Sequence, residues 1–99
     1  MAKFDVYRLR RGGNCVLDCQ ADLLDSLNTR LVVPLLPIDE APRPAKRLNP
    51  ILDVAGERLV MVTQFAASVP VAELGEVVLS LDPQQDAINA ALDMLIIGF

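Results

Sequence analysis

The stretch Leu31-Val32-Val33-Pro34-Leu35-Leu36 decides the fold class of this 99-residue chain. A continuous apolar run that contains β-branched residues is typical of a strand buried on both faces, and it is far too short to cross a membrane as a helix. Because proline has no N–H to donate to a sheet ladder, Pro34 predicts an edge position or a bulge. The sequence therefore predicts a core built around a β-sheet.

Shorter segments on both sides of this run predict further strands. Residues 3–9 and 15–19 alternate apolar and polar side chains around a turn with two glycines, which predicts a hairpin. Residues 51–54 and 59–65 flank a second turn at Gly56. Five or more short strands without βαβ spacing favour an antiparallel sheet that closes on itself as a small barrel.

The remaining segments complete a single predicted domain over residues 1–99. Residues 22–30 are predicted to form a polar connection, and residues 39–50, with three prolines, an exposed loop. The strands are expected within about 3–65 and a mixed segment over 66–81, where Pro70 and Gly75 interrupt any long element. The last element is a helix, predicted over about 83–97.

The start and the face of this helix are both visible in the sequence. Asp82 is the expected N-cap, with Pro83 at the first helical position and Gln85 three residues after the cap. One stripe at helical spacing is apolar: Ile88, Ala91, Leu92, Leu95, Ile96 and Phe99. Ile97 lies on the opposite, polar side with Asp86 and Asp93, which predicts a contact with a partner. The alternative is a hydrophobic tail folded back on the barrel or buried in a dimer.

Composition excludes several chemistries. The chain has no His and two Cys, so a zinc site and a Ser-His or Cys-His pair lack their components, and we expect no metal and no cofactor. If Cys15 and Cys19 lie on one strand, their α-carbons are ~13 Å apart, which is too far for a disulfide. We therefore expect two free cysteines in a reducing compartment. If glycine is counted as apolar and tyrosine is not, 56 of the 99 residues are apolar. This fraction exceeds the ~45–50% of a typical soluble domain and favours self-association. Asp5 interrupts any N-terminal signal sequence, and we expect a cytoplasmic protein.

Charge is distributed unevenly along the chain. All nine basic residues lie within residues 1–58, whereas residues 59–99 carry five acidic residues and no Lys or Arg. An acidic segment without cations cannot neutralise phosphates, so direct binding of nucleic acid is not expected there. It could face a basic protein surface.

The chain resembles the CcdB family of plasmid and chromosomal toxins over nearly its whole length. The most specific match is Ala67-Ser68-Val69-Pro70-Val71 followed by Leu74-Gly75-Glu76 and a last helix that ends with Gly98 in the penultimate position. Further matches in order and spacing are Phe4-Asp5-Val6-Tyr7, Gln20-Ala21-Asp22-Leu23-Leu24-Asp25, Arg30-Leu31-Val32-Val33-Pro34-Leu35 and Asn49-Pro50-Ile51.

This resemblance implies a mainly β fold with one C-terminal α-helix, a small antiparallel SH3-like barrel of the CcdB and MazF (Kid) type that forms a homodimer. It implies a plasmid-maintenance toxin of a type II toxin–antitoxin module, with no enzymatic activity. Such a toxin binds the A subunit of DNA gyrase and traps the cleaved-DNA complex. A CcdA-like antitoxin neutralises it.

In the family the last helix ends in Trp-Gly-Ile, the determinant of gyrase poisoning, and the matching residues here are Ile97-Gly98-Phe99. The full set implied to bind gyrase is Leu23, Leu24, Asp93, Ile96, Ile97, Gly98 and Phe99. For an acidic antitoxin segment, charge complementarity favours a second, basic group. Its members are Arg8, Arg10, Arg11, Arg43, Lys46 and Arg47.

Two alternatives stay open at this point. Because Ile97 replaces an aromatic residue that would stack on a cation, the chain could be a homologue that binds an antitoxin but no longer poisons gyrase. The other alternative is a MazF-like endoribonuclease, since the fold alone does not fix the function. Without His, such an enzyme would have to act on the 2′-OH through Arg11, Arg30 and Asp18.

Overall fold

A computed structural model describes residues 1–99. The chain contains seven β-strands and one α-helix. The strands are β1 (Asp5–Leu9), β2 (Cys15–Asp18), β3 (Thr29–Pro37), β4 (Ile51–Val54), β5 (Glu57–Met61), β6 (Ala67–Pro70) and β7 (Leu74–Ser80). The helix α1 spans Gln85–Ile96. Short 3₁₀ turns occupy residues 22–24, 63–65, 71–73 and 82–84. No helix is long and apolar enough to cross a membrane.

All strand pairs are antiparallel, and the sheet curls into a half-barrel. The hydrogen-bonded order is β4-β5-β3-β2-β1-β7, and β6 pairs with β3 outside this path. The predicted class, mainly antiparallel β with one C-terminal helix, is confirmed. The sheet closes only partly, because the outer strands β4 and β7 are not hydrogen-bonded to each other.

Pro34 lies in the central strand, so the prediction of an edge position is wrong. It is paired with Val16 of β2 on one side of β3. On the other side, β6 pairs with β3 only as far as Val32, and β5 begins to pair at Leu35. The missing N–H of Pro34 therefore falls where β3 changes neighbours, and its carbonyl accepts a hydrogen bond from Val62 N at 3.0 Å.

The segment 66–81, predicted to be mixed, contains strands β6 and β7. Gly75 does not interrupt β7 but permits a close approach to β1, because a Cβ at this position would lie 2.5 Å from the Arg8 carbonyl oxygen. The strand predicted over 59–65 ends earlier, at Met61. The buried Thr63 then starts a 3₁₀ turn, and its hydroxyl donates to the Leu48 carbonyl.

Residues of the two sheet faces form two separate clusters, as the alternation of strand side chains requires. The main core lies between the sheet and α1 and contains Phe4, Val6, Leu17, Val33, Leu35, Leu52, Met61, Leu81, Ile88 and Ala91 among others. Leu92 packs against it, as predicted, and remains partly exposed. The smaller cluster contains Tyr7, Val16, Val32 and Leu74.

The helix begins later than the sequence predicts. Residues 82–84 form a 3₁₀ turn, and α1 starts at Gln85 without a side-chain cap. The Gln85 side chain donates to Asp82 Oδ1 at 3.3 Å, so the two residues are linked without the expected capping hydrogen bonds. Gln84 instead binds the backbone of β4. Its side-chain amide accepts a hydrogen bond from Asp53 N and donates one to Asp53 O, and these two bonds cover this outer edge of the sheet.

Candidate functional site

The last turn of α1 and the residues after it project away from the core with apolar side chains. Ile88 and Ala91 are fully buried, but Ile96 is 75% exposed, Ile97 57% and Phe99 75%. Only the first half of the apolar stripe is covered by the chain's own sheet. The tail therefore does not fold back on the barrel, and the helix presents an unpaired apolar end.

Gly98 ends the helix through its backbone conformation. Its φ is +87°, a left-handed value that a residue with a Cβ rarely adopts. The N–H groups of Ile97 and Gly98 both donate to the Asp93 carbonyl oxygen, at 2.8 and 3.1 Å. A Cβ at Gly98 would meet nothing within 4 Å, so the requirement for glycine is conformational and not steric. This conformation sets the direction in which Phe99 leaves the helix.

The end of α1 is electronegative. The last turn contains no basic residue, and the exposed Asp93 lies within one turn of the helix end. Its carboxylate adds to the partial negative charge of the terminal carbonyl groups. The apolar tip formed by Ile96, Ile97 and Phe99 thus lies beside a surface that attracts a cation.

Leu23 and Leu24, the other residues matched to gyrase binding, lie on the 3₁₀ turn at residues 22–24. Leu23 is the most exposed of the large apolar side chains, at 92%. The turn is fixed by its polar residues: Asp22 Oδ1 accepts from Lys3 N at 2.7 Å, and the Leu24 carbonyl accepts from the Gln20 side chain. No extensive contact joins this turn to α1, which packs on the main core and on the turn at residues 63–65. A partner that uses both groups must span two elements.

Phe65 is an exposed aromatic residue on a turn next to α1, and the sequence pattern did not single it out. It lies on the 63–65 turn that packs against α1, and it is 52% exposed. The sequence pattern placed it at the end of the strand predicted over 59–65 and assigned it no role in binding. Its position next to α1 depends on a contact between segments far apart in the sequence, and residue spacing within one segment cannot predict such a contact.

The six basic residues predicted to bind an antitoxin lie on two segments, the β1–β2 hairpin and the loop between β3 and β4. Arg10 and Arg11 line one cavity together with Glu73, and Arg8 lines a second cavity together with Cys15 and Glu57. The other three lie in the loop between β3 and β4: Arg43, Lys46 and Arg47. Of the six, only Arg10 and Arg11 line the same cavity.

The residues considered for ribonuclease chemistry differ in burial. Arg30 and Asp18 are both fully buried and form an ion pair, whereas Arg11 is exposed. Burial raises the pKa of Asp18 above its usual range, and the bonds from Gln20 N and Arg30 oppose that effect. Neither buried side chain can contact an RNA backbone in this arrangement.

The cysteines are free and do not take part in the site. Cys15 is half-buried and Cys19 is buried, and burial raises the pKa of the Cys19 thiol to about 12. Because Cys19 stays protonated at neutral pH, it is not a nucleophile. No group of three or more potential ligand side chains lies close enough together to hold a metal ion.

Comparison with solved structures defines the class of fold. An endoribonuclease in complex with its cognate antitoxin, from a mycobacterial species, superposes with a TM-score of 0.76 over 95% of this chain and 92% of that chain at 16% identity. A second mycobacterial endoribonuclease gives a TM-score of 0.77 over 95% of this chain and 88% of that chain, also at 16% identity. At this identity the likeness establishes the fold, which is one that toxins of toxin–antitoxin systems use.

The sequence narrows this class to one family. The CcdB protein family model matches residues 3–98, nearly the whole chain. The chain therefore belongs to the CcdB family and is a toxin of a toxin–antitoxin system.

Proposed function

We propose that this toxin is a non-enzymatic gyrase poison that acts through the end of α1. The observation that carries the proposal is the apolar tip itself, because Ile96, Ile97 and Phe99 are all more than half exposed on a helix end that no part of the chain covers. Exposed apolar groups of this kind mark contact sites for a partner protein. Membership of the CcdB family, whose resemblance implies gyrase binding at these positions, supports the A subunit of DNA gyrase as that partner.

The replacement of the family's aromatic residue by Ile97 alters the expected contact but does not remove it. The stacking energy of a cation on an aromatic ring, ~0.5–2 kcal/mol, is lost. The resemblance to the CcdB family implies an asparagine at the position of Asp93, and the carboxylate present here, at the electronegative helix end, attracts a cation directly. We propose that an arginine or lysine of gyrase is held by charge where the family holds it by stacking.

The proposal includes a homodimer and a CcdA-like antitoxin. The high apolar content and the exposed Phe65 provide surface for contact with a second copy of the chain. The basic residues on the β1–β2 hairpin and in the loop between β3 and β4 provide the complementary charge for an acidic antitoxin segment.

Ribonuclease activity is the competing function, because the structures with a similar fold include endoribonucleases. The burial of Arg30 and Asp18 argues against it. Because the chain has no His and because Arg30 and Asp18 are buried, neither of these two residues can act as an acid or base beside Arg11.

The test is a DNA-cleavage assay with purified gyrase, supercoiled plasmid and ATP. Linear plasmid should accumulate with the full chain and should not accumulate with a chain that ends before Ile97. Ile97→Asp should behave like the truncation, whereas Ile38→Asp, at another exposed isoleucine, should poison as well as the full chain. Linear product that persists after the truncation would refute the role of the tip.

A parallel incubation with RNA separates the remaining alternatives. RNA fragments that form at substoichiometric protein would establish the enzyme and refute this proposal. No linear plasmid and no RNA fragments, with dimerisation and antitoxin binding intact, would identify a homologue that has lost gyrase poisoning.

A further inference from the structure

A cavity of about 200 Å³ lies between the end of β1 and the 3₁₀ turn at residues 71–73. It is lined by Leu9, Arg10, Arg11, Ala72 and Glu73. Since one water occupies ~30 Å³ of liquid volume, this space accommodates the carboxyl end of an amino-acid side chain. The end of β1 and the 71–73 turn lie more than sixty residues apart in the sequence, so the cavity exists only in the folded chain.

Arg10 is fixed in place at the wall of this cavity. Its backbone N donates to the Glu73 carbonyl at 3.1 Å, and its side-chain Nε donates to the Ala72 carbonyl at 2.9 Å. The close approach of β1 and β7 at Gly75 brings the two segments to this distance. Because the guanidinium is already held by Nε, its two terminal nitrogens are oriented before any ligand binds.

The charges that line the cavity are not paired with one another. Arg10 and Arg11 contribute two guanidinium groups and Glu73 one carboxylate, but no ion pair forms among them. Leu9 and Ala72 supply the apolar part of the wall. A ligand with a carboxylate on a short aliphatic stem matches both features, since an oriented guanidinium binds a carboxylate through two parallel hydrogen bonds.

We propose that this cavity binds a glutamate or aspartate side chain from an acidic segment of the antitoxin. This proposal rests on the function proposed above, because it assumes that an antitoxin exists. It adds the residues that the antitoxin contacts. It separates Arg10 and Arg11 from the other four basic residues, which lie in a different cavity or in the loop between β3 and β4. A peptide fits better than a nucleic acid, because the second half of the chain has no cation to continue a phosphate-binding surface.

The experiment uses an acetylated and amidated hexaglutamate peptide as the probe and the full-length chain labelled with ¹⁵N. The Nε–H signal of Arg10 should shift saturably on titration. Arg10→Ala should lower the affinity about tenfold, as expected for a charge-assisted pair of hydrogen bonds. Arg58→Ala, at an exposed arginine of β5, should change it by less than about twofold.

Three further variants keep the test valid if Arg10→Ala disturbs the fold. Arg11 makes no hydrogen bond within the chain, so Arg11→Ala should fold normally and still bind the peptide more weakly. Glu73→Gln should bind it more tightly, because a carboxylate is removed from the cavity. Glu76→Gln removes the same charge from an exposed position outside the cavity and should leave the affinity unchanged.

If Arg11→Ala and Arg58→Ala lower the affinity for the peptide equally, the proposal is overturned in favour of unspecific attraction to net charge. A single-stranded hexa-adenylate RNA that binds more tightly than the peptide at the same ionic strength would overturn it in favour of a nucleic-acid site. Arg11→Ala should still poison gyrase in the cleavage assay. If peptide binding fails while cleavage still depends on Ile97, this inference fails and the proposed function stands.

Discussion

Arg30 and Asp18 form an ion pair on the smaller-cluster face of the sheet, where Arg30 Nη2 lies 2.6 Å and Arg30 Nε 2.8 Å from Asp18 Oδ2. Both side chains are fully buried, and Asp18 Oδ1 accepts a further hydrogen bond from Gln20 N at 3.0 Å. Arg30 Nη1 has no acceptor within the chain. A buried pair of this kind makes each partner depend on the other, because a single buried charge is far more costly than a pair.

Removal of one partner of this pair should destabilise the protein strongly. We expect Arg30→Met to lower the free energy of unfolding by about 3–5 kcal/mol, since Asp18 is left as an unpaired buried carboxylate. The double variant Arg30→Met with Asp18→Leu should be more stable than Arg30→Met, because both charges are gone. Urea denaturation measures both values, with Arg58→Met as the exposed control at less than about 0.5 kcal/mol. A double variant less stable than the single one would contradict this account of the pair.

Gly98→Ala tests the conformation at the helix end. Alanine at a φ of +87° costs about 1 kcal/mol in an ordered site, and here the tail can relax by changing its direction. We therefore expect little change in the free energy of unfolding but a marked loss of gyrase-mediated DNA cleavage. Gly12→Ala is the matched control, since Gly12 has a φ of +80° and a Cβ there would also meet no atom within 4 Å. Similar cleavage by both variants would show that the direction of Phe99 does not matter.

Gly75→Ala tests the close contact between β1 and β7. A methyl group there would lie 2.5 Å from the Arg8 carbonyl oxygen, and backbone cannot move aside as a flexible side chain can. We expect a loss of about 1–3 kcal/mol in the free energy of unfolding, the usual cost of overpacking. Glu76→Ala, at an exposed position of the same strand, should change stability by less than about 0.5 kcal/mol. Thermal denaturation of both variants makes the comparison, and equal melting temperatures would contradict it.

Cys19 should make the protein less stable in alkali. Its pKa is about 12 in the folded chain and has an ordinary value of 9.0 in the unfolded chain. Between these values the folded state retains a proton that the unfolded state has lost, so the free energy of unfolding falls as pH rises. The expected slope is about 1.4 kcal/mol per pH unit for this group and begins near pH 9. Urea denaturation from pH 8 to 10.5 should show a shallower decline for Cys19→Ala, and equal slopes would exclude this thiol as the cause.

Local patterns predicted those features that depend on residues close in sequence. The alternation around Val6 and Leu17 predicted the first hairpin, and the helical spacing of Ile88, Ala91 and Leu92 predicted which side of α1 packs on the sheet. These predictions succeed because strand and helix periods decide within a few residues which side chains meet the core. The same spacing placed Ile96 and Phe99 on the packed side and Ile97 on the opposite side, but the first two are 75% exposed and Ile97 is 57% exposed. Periodicity gives the side of the helix and not the point at which the sheet stops covering it.

Other features were decided by tertiary structure alone. Pro34 was expected at an edge or a bulge, but two different strands share the second side of β3 and leave a gap for it. Gln84 was expected within the helix, but its amide is taken by the backbone of Asp53 on the outer strand β4. In both cases the competing partner comes from another strand, and residue spacing within one segment carries no information about it.

The sequence by itself determined the family, the antiparallel sheet, the last helix and its apolar tip, because each depends on residue order or on short-range periodicity. Only the tertiary structure decided that Arg30 and Asp18 neutralise each other in the core, and that Arg10 meets Glu73 at one cavity. The physical reason is register: a pairing across strands depends on which residues the sheet aligns, and a shift of one residue would point each side chain to the opposite face.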